Sequence, residues 1–141
     1  MILRSAITAL LVLCAAVPAL AQSGNQTGKK PVITASTPTP DDRARQWLVL
    51  VDDKNYSSSW MQSGKAFQGR QKADAWGKDA GVRREPLGAV ASRGLKSIDL
   101  SRSNVAVIRY DTVFAHKAAA VETVTLSFEN GSWAVTDYSV T

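Results

Sequence analysis

Large apolar residues recur every three to four positions along the first half of the chain and alternate along the second. The first rhythm is helical and the second is the strand repeat. Thr39-Pro40-Asp41-Asp42 opens the helical half with an N-cap, a proline suited to the first helical position and an acid at the positive end of the helix dipole. Ala44, Trp47, Leu48 and Val51 follow on one face, and this first helix is expected to end near Asp53-Lys54-Asn55. Tyr56, Trp60, Ser63/Gly64 and Phe67 form a second stripe, whose small residues leave room for another helix or a cavity. Ala73, Trp76, Ala80 and Arg83 form a third, weakened by Gly77 and Gly81 and stopped by Pro86-Leu87-Gly88.

Past Gly88 the period falls to two. Strands are expected over Gly88–Leu100, Val105–Phe114, Val121–Glu129 and Trp133–Val140. Ala106, Ile108, Tyr110, Thr112 and Phe114 share one face of the second, Asn130-Gly131 is a hairpin turn, and Ala115–Ala120 (AHKAAA, with the sole histidine, His116) reads as a loop. Helices followed by consecutive antiparallel strands define an α+β domain, its N-terminal helices packed on one face of a four-stranded antiparallel sheet. Glu122 breaks the pattern. It alternates with Val124, Leu126 and Phe128, so a carboxylate points toward the apolar side. Such an acid must be paired, protonated or next to water.

The beginning of the chain changes the count of folded residues. Arg4, an apolar run from Ala6 to Val17 and Ala19-Leu20-Ala21 have the order of a signal peptide cut after Ala21. The apolar run is too short for a permanent membrane span. Cys14 lies within it, and the Leu13 before it is a poor match to a lipidation motif. Residues 22–39, rich in Ser, Thr, Gly, Asn and Pro, read as a flexible linker. One domain, 40–141, is left, without cysteine and therefore without disulfide or thiol nucleophile. A periplasmic or secreted location follows as an expectation.

The net charge of +5, or +4 without Arg4, comes from basic residues interleaved with acidic ones. A solvated basic surface is the simplest reading, and no basic arm for nucleic acid is present. One histidine and no cysteine give no metal-ligand spacing, and neither a nucleophile elbow nor a glycine-rich phosphate loop occurs. No metal or cofactor is expected. The four tryptophans, Trp47, Trp60, Trp76 and Trp133, read chiefly as core, with Trp60 placed to border a pocket because Ser63 and Gly64 follow it.

Several segments together resemble a known family. They are WLxLVDxxxYxxSW (Trp47 to Trp60), Phe67, Trp76, VRREPLG (Val82 to Gly88), SRGLKS (Ser92 to Ser97), YDTVFAHKAAAVETVTL (Tyr110 to Leu126) and NGSWAVTDY (Asn130 to Tyr138). This pattern is similar to the exported bacterial family called domain of unknown function 4019. The resemblance implies a cone-shaped fold of the nuclear-transport-factor-2-like and cystatin-like group, a curved sheet wrapped on a helix and often holding a pocket. It implies no activity. The chain departs from the family in carrying Lys54 where a glycine is usual, Ala80 where a leucine is usual, and only Asp99–Ser103 in place of a longer loop.

Glu122 is the sharpest candidate. It could be a general base or ligand anchor with Tyr110 and Tyr56 nearby, or a structural acid paired with Arg83 or Arg93. Arg83 could instead fork onto an anion or pair with Asp52, and Asp52 either leans inward or faces water from the last helical turn. Glu122, Tyr110, Tyr56, Trp60, Arg83 and Asp52 are thus the candidate binding residues. Arg109, Asp111, Val105, Val107 and Val113, with Thr123 and Thr125 opposite, describe a partly solvated outer face that could serve a homodimer. The leading expectation is an exported, non-catalytic binding module for a small ligand or an envelope protein. The alternatives are a small cone-fold enzyme using Glu122 as base, and a purely structural envelope domain.

Overall fold

The computed structural model describes residues 36–141. The expected signal peptide, Cys14 and the linker up to residue 35 lie outside them. Thr39 and Asp42 form a reciprocal capping box that starts α1 (Pro40–Asp52), with Pro40 in its first turn. Ala44, Trp47, Leu48 and Val51 are its buried face, as the spacing predicts. The helix closes at Asp53, and Lys54 takes the left-handed conformation, φ 59°, that a glycine usually supplies. Its N–H donates to the Val51 carbonyl and that of Asn55 to Leu50, which satisfies two terminal carbonyls. Asn55 then caps α2 (Tyr56–Met61) by accepting from the Ser58 N–H.

The second stripe is two helices rather than one. After α2 the chain breaks at Gln62–Gly64 and resumes as α3 (Lys65–Arg70). The small residues Ser63 and Gly64 make room for a strand, not for another helix or a cavity. The Gly64 N–H donates to the Val135 carbonyl at 2.7 Å, and a Cβ on Gly64 would come within 3.2 Å of Ala134 Cβ. Next come α4 (Ala73–Arg84) and a 3-10 turn (Glu85–Leu87) ended by Gly88 at φ 76°. Gly88 backs onto the turn between the middle strands, where a side chain would meet Ala115 and His116 at 3.0 Å.

The strands are β1 (Val90–Arg102), β2 (Val105–Phe114), β3 (Lys117–Glu129) and β4 (Ser132–Val140), in an open antiparallel sheet of order β1-β2-β3-β4. The loop expected over Ala115–Ala120 shrinks to a tight turn, because Lys117–Ala120 pair with Thr112–Phe114 instead of looping out. The β1–β2 link is likewise a short turn, since β1 continues to Arg102. Register shifts within β1–β2 and at Thr125/Leu126 of β3–β4 bend the sheet. Ala106, Ile108, Tyr110, Thr112 and Phe114 of β2 are all buried. Phe128, expected inside, is 45% exposed, and its ring leans on Trp133.

An aromatic cluster joins the two layers. Trp47 lies 5.7 Å from Trp76 and 6.1 Å from Phe67, and Phe67 meets Trp76 edge-on at 4.9 Å. The indole N–H groups are satisfied inside: Trp47 donates to the Ser59 carbonyl and Ser63 Oγ, and Trp76 to Ser59 Oγ. Trp47 and Trp76 are fully buried, while Trp60 and Trp133 pack at the edge of the core. Trp60 Nε1 donates to the Gln71 carbonyl and holds α2 against the entry to α4.

Candidate functional site

The charged groups that a sheet face should exclude meet at one end of the core. Glu122 on β3 stands opposite Tyr110 on β2 and Val140 on β4, so its diagonal neighbours on the same face are Thr112 and Tyr138. Both touch it. Tyr138 Oη donates to Glu122 Oε1 at 2.7 Å, and Thr112 Oγ1 donates to Oε2 at 2.7 Å. Two arginines complete the shell: Arg84 Nη1 on Oε1 at 2.5 Å and Arg93 Nε on Oε2 at 2.6 Å. Each carboxylate oxygen therefore accepts two donors, and Glu122 is 0% exposed.

The same two arginines close onto a second acid. Arg84 Nη2 donates to Asp52 Oδ1 at 2.6 Å, and Arg93 grips both oxygens of Asp52 at 2.8 and 3.0 Å. Asp52–Arg84–Glu122–Arg93 is thus a closed ring of two acids and two bases. Asp52 ends α1 and Arg84 ends α4, while Arg93 and Glu122 come from β1 and β3, so one network ties both layers together. Asp52 sits at the negative end of its helix, whose last turn carries no base of its own, and the two guanidinium groups supply the missing positive charge. Arg93 reaches inward because the strand is irregular on both sides of it, between Val90 and Ser92 and between Leu95 and Ser97. Arg84 also lies over the Phe114 ring, 4.7 Å from its centre.

The ring sets the proton affinities around it. Burial works against the charges of Arg84 and Arg93. For Arg84, Tyr138, Glu122 and Asp52 outweigh it; for Arg93, the hydrogen bonds and charges of Asp52 and Glu122 do. Both guanidinium groups are held above their ordinary range. Burial, and then the Glu122 charge, push the Tyr138 phenol well above its usual value, so it stays a neutral donor.

The candidate residues thus divide. Glu122 and Asp52 are brought together, through Arg93, which the sequence offered as a partner, and Arg84, which it did not. Arg83 is corrected: it is exposed and pairs with Asp79 one helical turn back. The buried face of α4 is Trp76, Ala80, Gly81 and Arg84. At 100° per residue Arg84 lies about 80° round from Trp76 on the buried side, and Arg83 about 20° on the other. Only Trp76 and Ala80 marked that face, which left its direction open. Tyr110 is beside Glu122 in the ladder but turns its hydroxyl away, to Asp41 Oδ1 at 2.6 Å. Burial and that acid raise the Tyr110 phenol too. Trp60 stays in the packing between α2 and α4. Tyr138 and Thr112 belong to the ring's shell without being singled out by the sequence pattern; their positions diagonal to an inward acid are the available signal.

Tyr56 stands apart from the ring but beside it. It lines a cavity of about 240 Å³ with Val51, Asp52, Lys54, Arg84, Glu85, Gly88 and Ala89. Two buried side-chain atoms among the described residues lack a hydrogen-bond partner: Tyr56 Oη and Arg84 Nε. Both belong to residues of this cavity. Burial and the Glu85 carboxylate raise the Tyr56 phenol, with Arg84 opposing. A wider depression of about 490 Å³ on the outer sheet face, around Asp111 and Val113, includes neither atom. Among the described residues no group of three His, Cys, Asp or Glu side chains is placed to hold a metal ion, and no helix is long and apolar enough to cross a membrane.

Comparison with known proteins bears on this architecture. The family model for the protein of unknown function DUF4019 matches residues 43–138. Among solved structures, the chain is similar to a Campylobacter jejuni protein provisionally assigned as an NTF2-like transpeptidase, with 14% identity, a TM-score of 0.55 and coverage of 70% of this chain and 97% of that one. It is also similar to an NTF2-like protein of unknown function from Shewanella oneidensis, with 16% identity, a TM-score of 0.47 and coverage of 72% and 98%. At this identity the Campylobacter likeness shows an NTF2-like fold and nothing about activity. No curated protein matches.

Proposed function

The chain belongs to the DUF4019 family of proteins of unknown function, and from its own geometry we propose that it is an exported, non-catalytic binding module that takes a small ligand in the cavity beside the ionic ring. One observation carries the reading: the two unpartnered buried donors, Tyr56 Oη and Arg84 Nε, belong to residues lining one cavity. A buried donor without an acceptor costs on the order of 1–3 kcal/mol, which marks the wall of this cavity as incompletely satisfied. Glu122 is a scaffold acid in this reading. A general base needs a free lone pair within reach of a substrate proton. Glu122 has four donors on its two oxygens and no exposure.

Export rests on the N-terminal pattern. Cleavage after Ala21 gives a mature chain starting at Gln22, in which residues 22–39 act as a tether and 40–141 as the binding domain. N-terminal sequencing of the protein from periplasmic and culture fractions tests this; an uncut chain in the cytosol contradicts it. For the site, native mass spectrometry of the chain purified from its host is expected to show a small adduct that disappears in Ala89→Trp, where the new side chain fills the cavity mouth. An adduct that survives Ala89→Trp while the fold is intact contradicts the assignment.

A further inference from the structure

We propose that two copies of this chain join edge to edge through β1, antiparallel about a two-fold axis at Ile98, so that their sheets become one.

The two edges of the sheet are not alike. At the β4 edge the Val135 carbonyl accepts from the Gly64 N–H, the Thr136 carbonyl accepts from Arg70, and Ser63 is bridged to Val135. Arg70 also pairs with Asp137 beside them. The α2–α3 link and α3 therefore occupy that edge. β1, 13 residues long, has β2 as its one neighbour strand among the described residues. A long open edge presents unpaired N–H and C=O groups and is a template for another strand. With β4 occupied, a head-to-tail stack of sheets is blocked. The strand that fits β1 is a second β1, which closes the assembly at two copies.

β1 also carries an apolar strip outside the core. Leu95 stands opposite Tyr110 and Ile98 opposite Ile108, both of them fully buried, so the strip lies on the face that the helices cover. Alternation past Asp99 places Leu100 with them. Yet Leu95, Ile98 and Leu100 are 46, 42 and 55% exposed, because the helices rest chiefly on β2, β3 and β4.

The order of residues along this edge matches its own reverse. Leu95-Lys96-Ser97-Ile98-Asp99-Leu100 runs apolar, basic, small, apolar, acidic, apolar. The strand is irregular between Leu95 and Ser97, so Lys96 and Ser97 share one position on the outer face. Lys96 donates to Asp111 there, and Ser97 stands opposite Arg109. Counted with that bulge, antiparallel pairing about Ile98 sets Ile98 against its own copy. It sets Leu95 against the partner's Leu100, and Asp99 against the partner's Lys96. Every side chain meets one on its own face of the sheet. An edge built to repel its copies sets like charges opposite each other. This one sets an acid opposite a base, once on each side of the axis.

The test is sedimentation velocity of the protein purified from its host, with Ile98→Lys beside the unchanged chain. The unchanged chain is expected to sediment as a dimer at micromolar concentration. Ile98→Lys puts two ammonium groups on the axis and is expected to weaken association at least about a hundredfold, leaving a folded monomer. If Ile98→Lys does not fold, cross-linking under air decides. In a Cys14→Ser background, Ile98→Cys is expected to give a disulfide-linked dimer, because the axis brings the two Cα atoms within the span of a disulfide. Thr123→Cys, on the outer face opposite Arg109, is expected to stay monomeric. A monomeric unchanged chain overturns the proposal. So does a dimer that persists in Ile98→Lys, or one linked through Thr123→Cys and not through Ile98→Cys, which would place the contact on the outer face.

Discussion

Two kinds of core meet in Tyr138. On one side its ring packs 5.4 Å from Trp47 and 6.2 Å from Trp76, within a cluster held by apolar contact. On the other its hydroxyl joins a ring of four charges, accepting from Arg84 and donating to Glu122. The two regions answer to different physics. The aromatic cluster gains in proportion to the area it buries, so each lost contact removes its own share. The ionic ring gains only as a complete set. Each charge has been taken from water, and the loss of one partner leaves another charge buried with less to neutralise it. The first region can erode gradually, and the second fails at its first missing member.

The largest effect should come from opening the ring. Glu122→Gln keeps the shape but leaves Arg84 and Arg93 with Asp52 alone, and a loss of about 3–5 kcal/mol in urea-unfolding free energy is expected. Replacing the whole ring and its two hydroxyl donors with apolar residues of similar size (Asp52→Leu, Arg84→Met, Arg93→Met, Glu122→Leu, Tyr138→Phe and Thr112→Val) should recover most of that loss, since a matched apolar set strands neither a charge nor a buried hydroxyl. Recovery that fails would mean the ring contributes net stability of its own.

Tyr138→Phe cuts between the two regions. The ring contacts with Trp47 and Trp76 remain and the hydroxyl goes, at an expected cost of about 1.5–3 kcal/mol for a hydrogen bond to a charged group. The same residue gives a pH signature. Tyr138 and Tyr110 have folded pKa values raised above their unfolded value of about 10, so the folded state holds their protons longer than the unfolded one. Their contribution is complete below about pH 10 and is lost as pH rises from there toward the folded values. Urea midpoints measured from pH 8 to 11 should therefore fall above about pH 10, and Tyr138→Phe should flatten the fall.

The smallest effect should be at Arg83. Its ion pair with Asp79 is exposed on both sides, so Arg83→Ala is expected to change the unfolding free energy by less than about 0.5 kcal/mol. A larger loss would place Arg83, not Arg84, in the ring.

The same contrast governs what could be read beforehand. The aromatic cluster was legible because hydrophobic spacing fixes which face of α1 and which face of β2 turn inward, and Trp47, Leu48, Ile108 and Tyr110 all obey it. Glu122 was legible as an exception to that spacing. Of its partners, Arg93 was legible as one of two possible arginines and Arg84 was not. Arg84 is charged on a helix whose buried face includes Gly81 and Ala80, so periodicity gave no direction accurate enough to separate it from Arg83. Arg93 and Asp52 were named as candidates, but that they share one ring follows only from the strand irregularities around Arg93, which alternation cannot foresee. The break between α2 and α3 was hidden for a related reason: Ser63 and Gly64 look like a gap in a helix until β4 is seen to fill it. The cavity lay beyond reach because it is made by what Tyr56 and Arg84 leave unpaired, a property of the assembled fold rather than of any stretch of chain.

The most direct measurement is a double-mutant cycle between Arg84 and Glu122, using Arg84→Met, Glu122→Gln and the pair, with urea-unfolding free energies for all four proteins. If the acid is a scaffold element, the two changes are far from additive, and a coupling of at least ~1.5 kcal/mol is expected. Free energies that add to within ~0.5 kcal/mol, in folded proteins that have lost their ligand, would contradict a structural Glu122 and return it to the binding site.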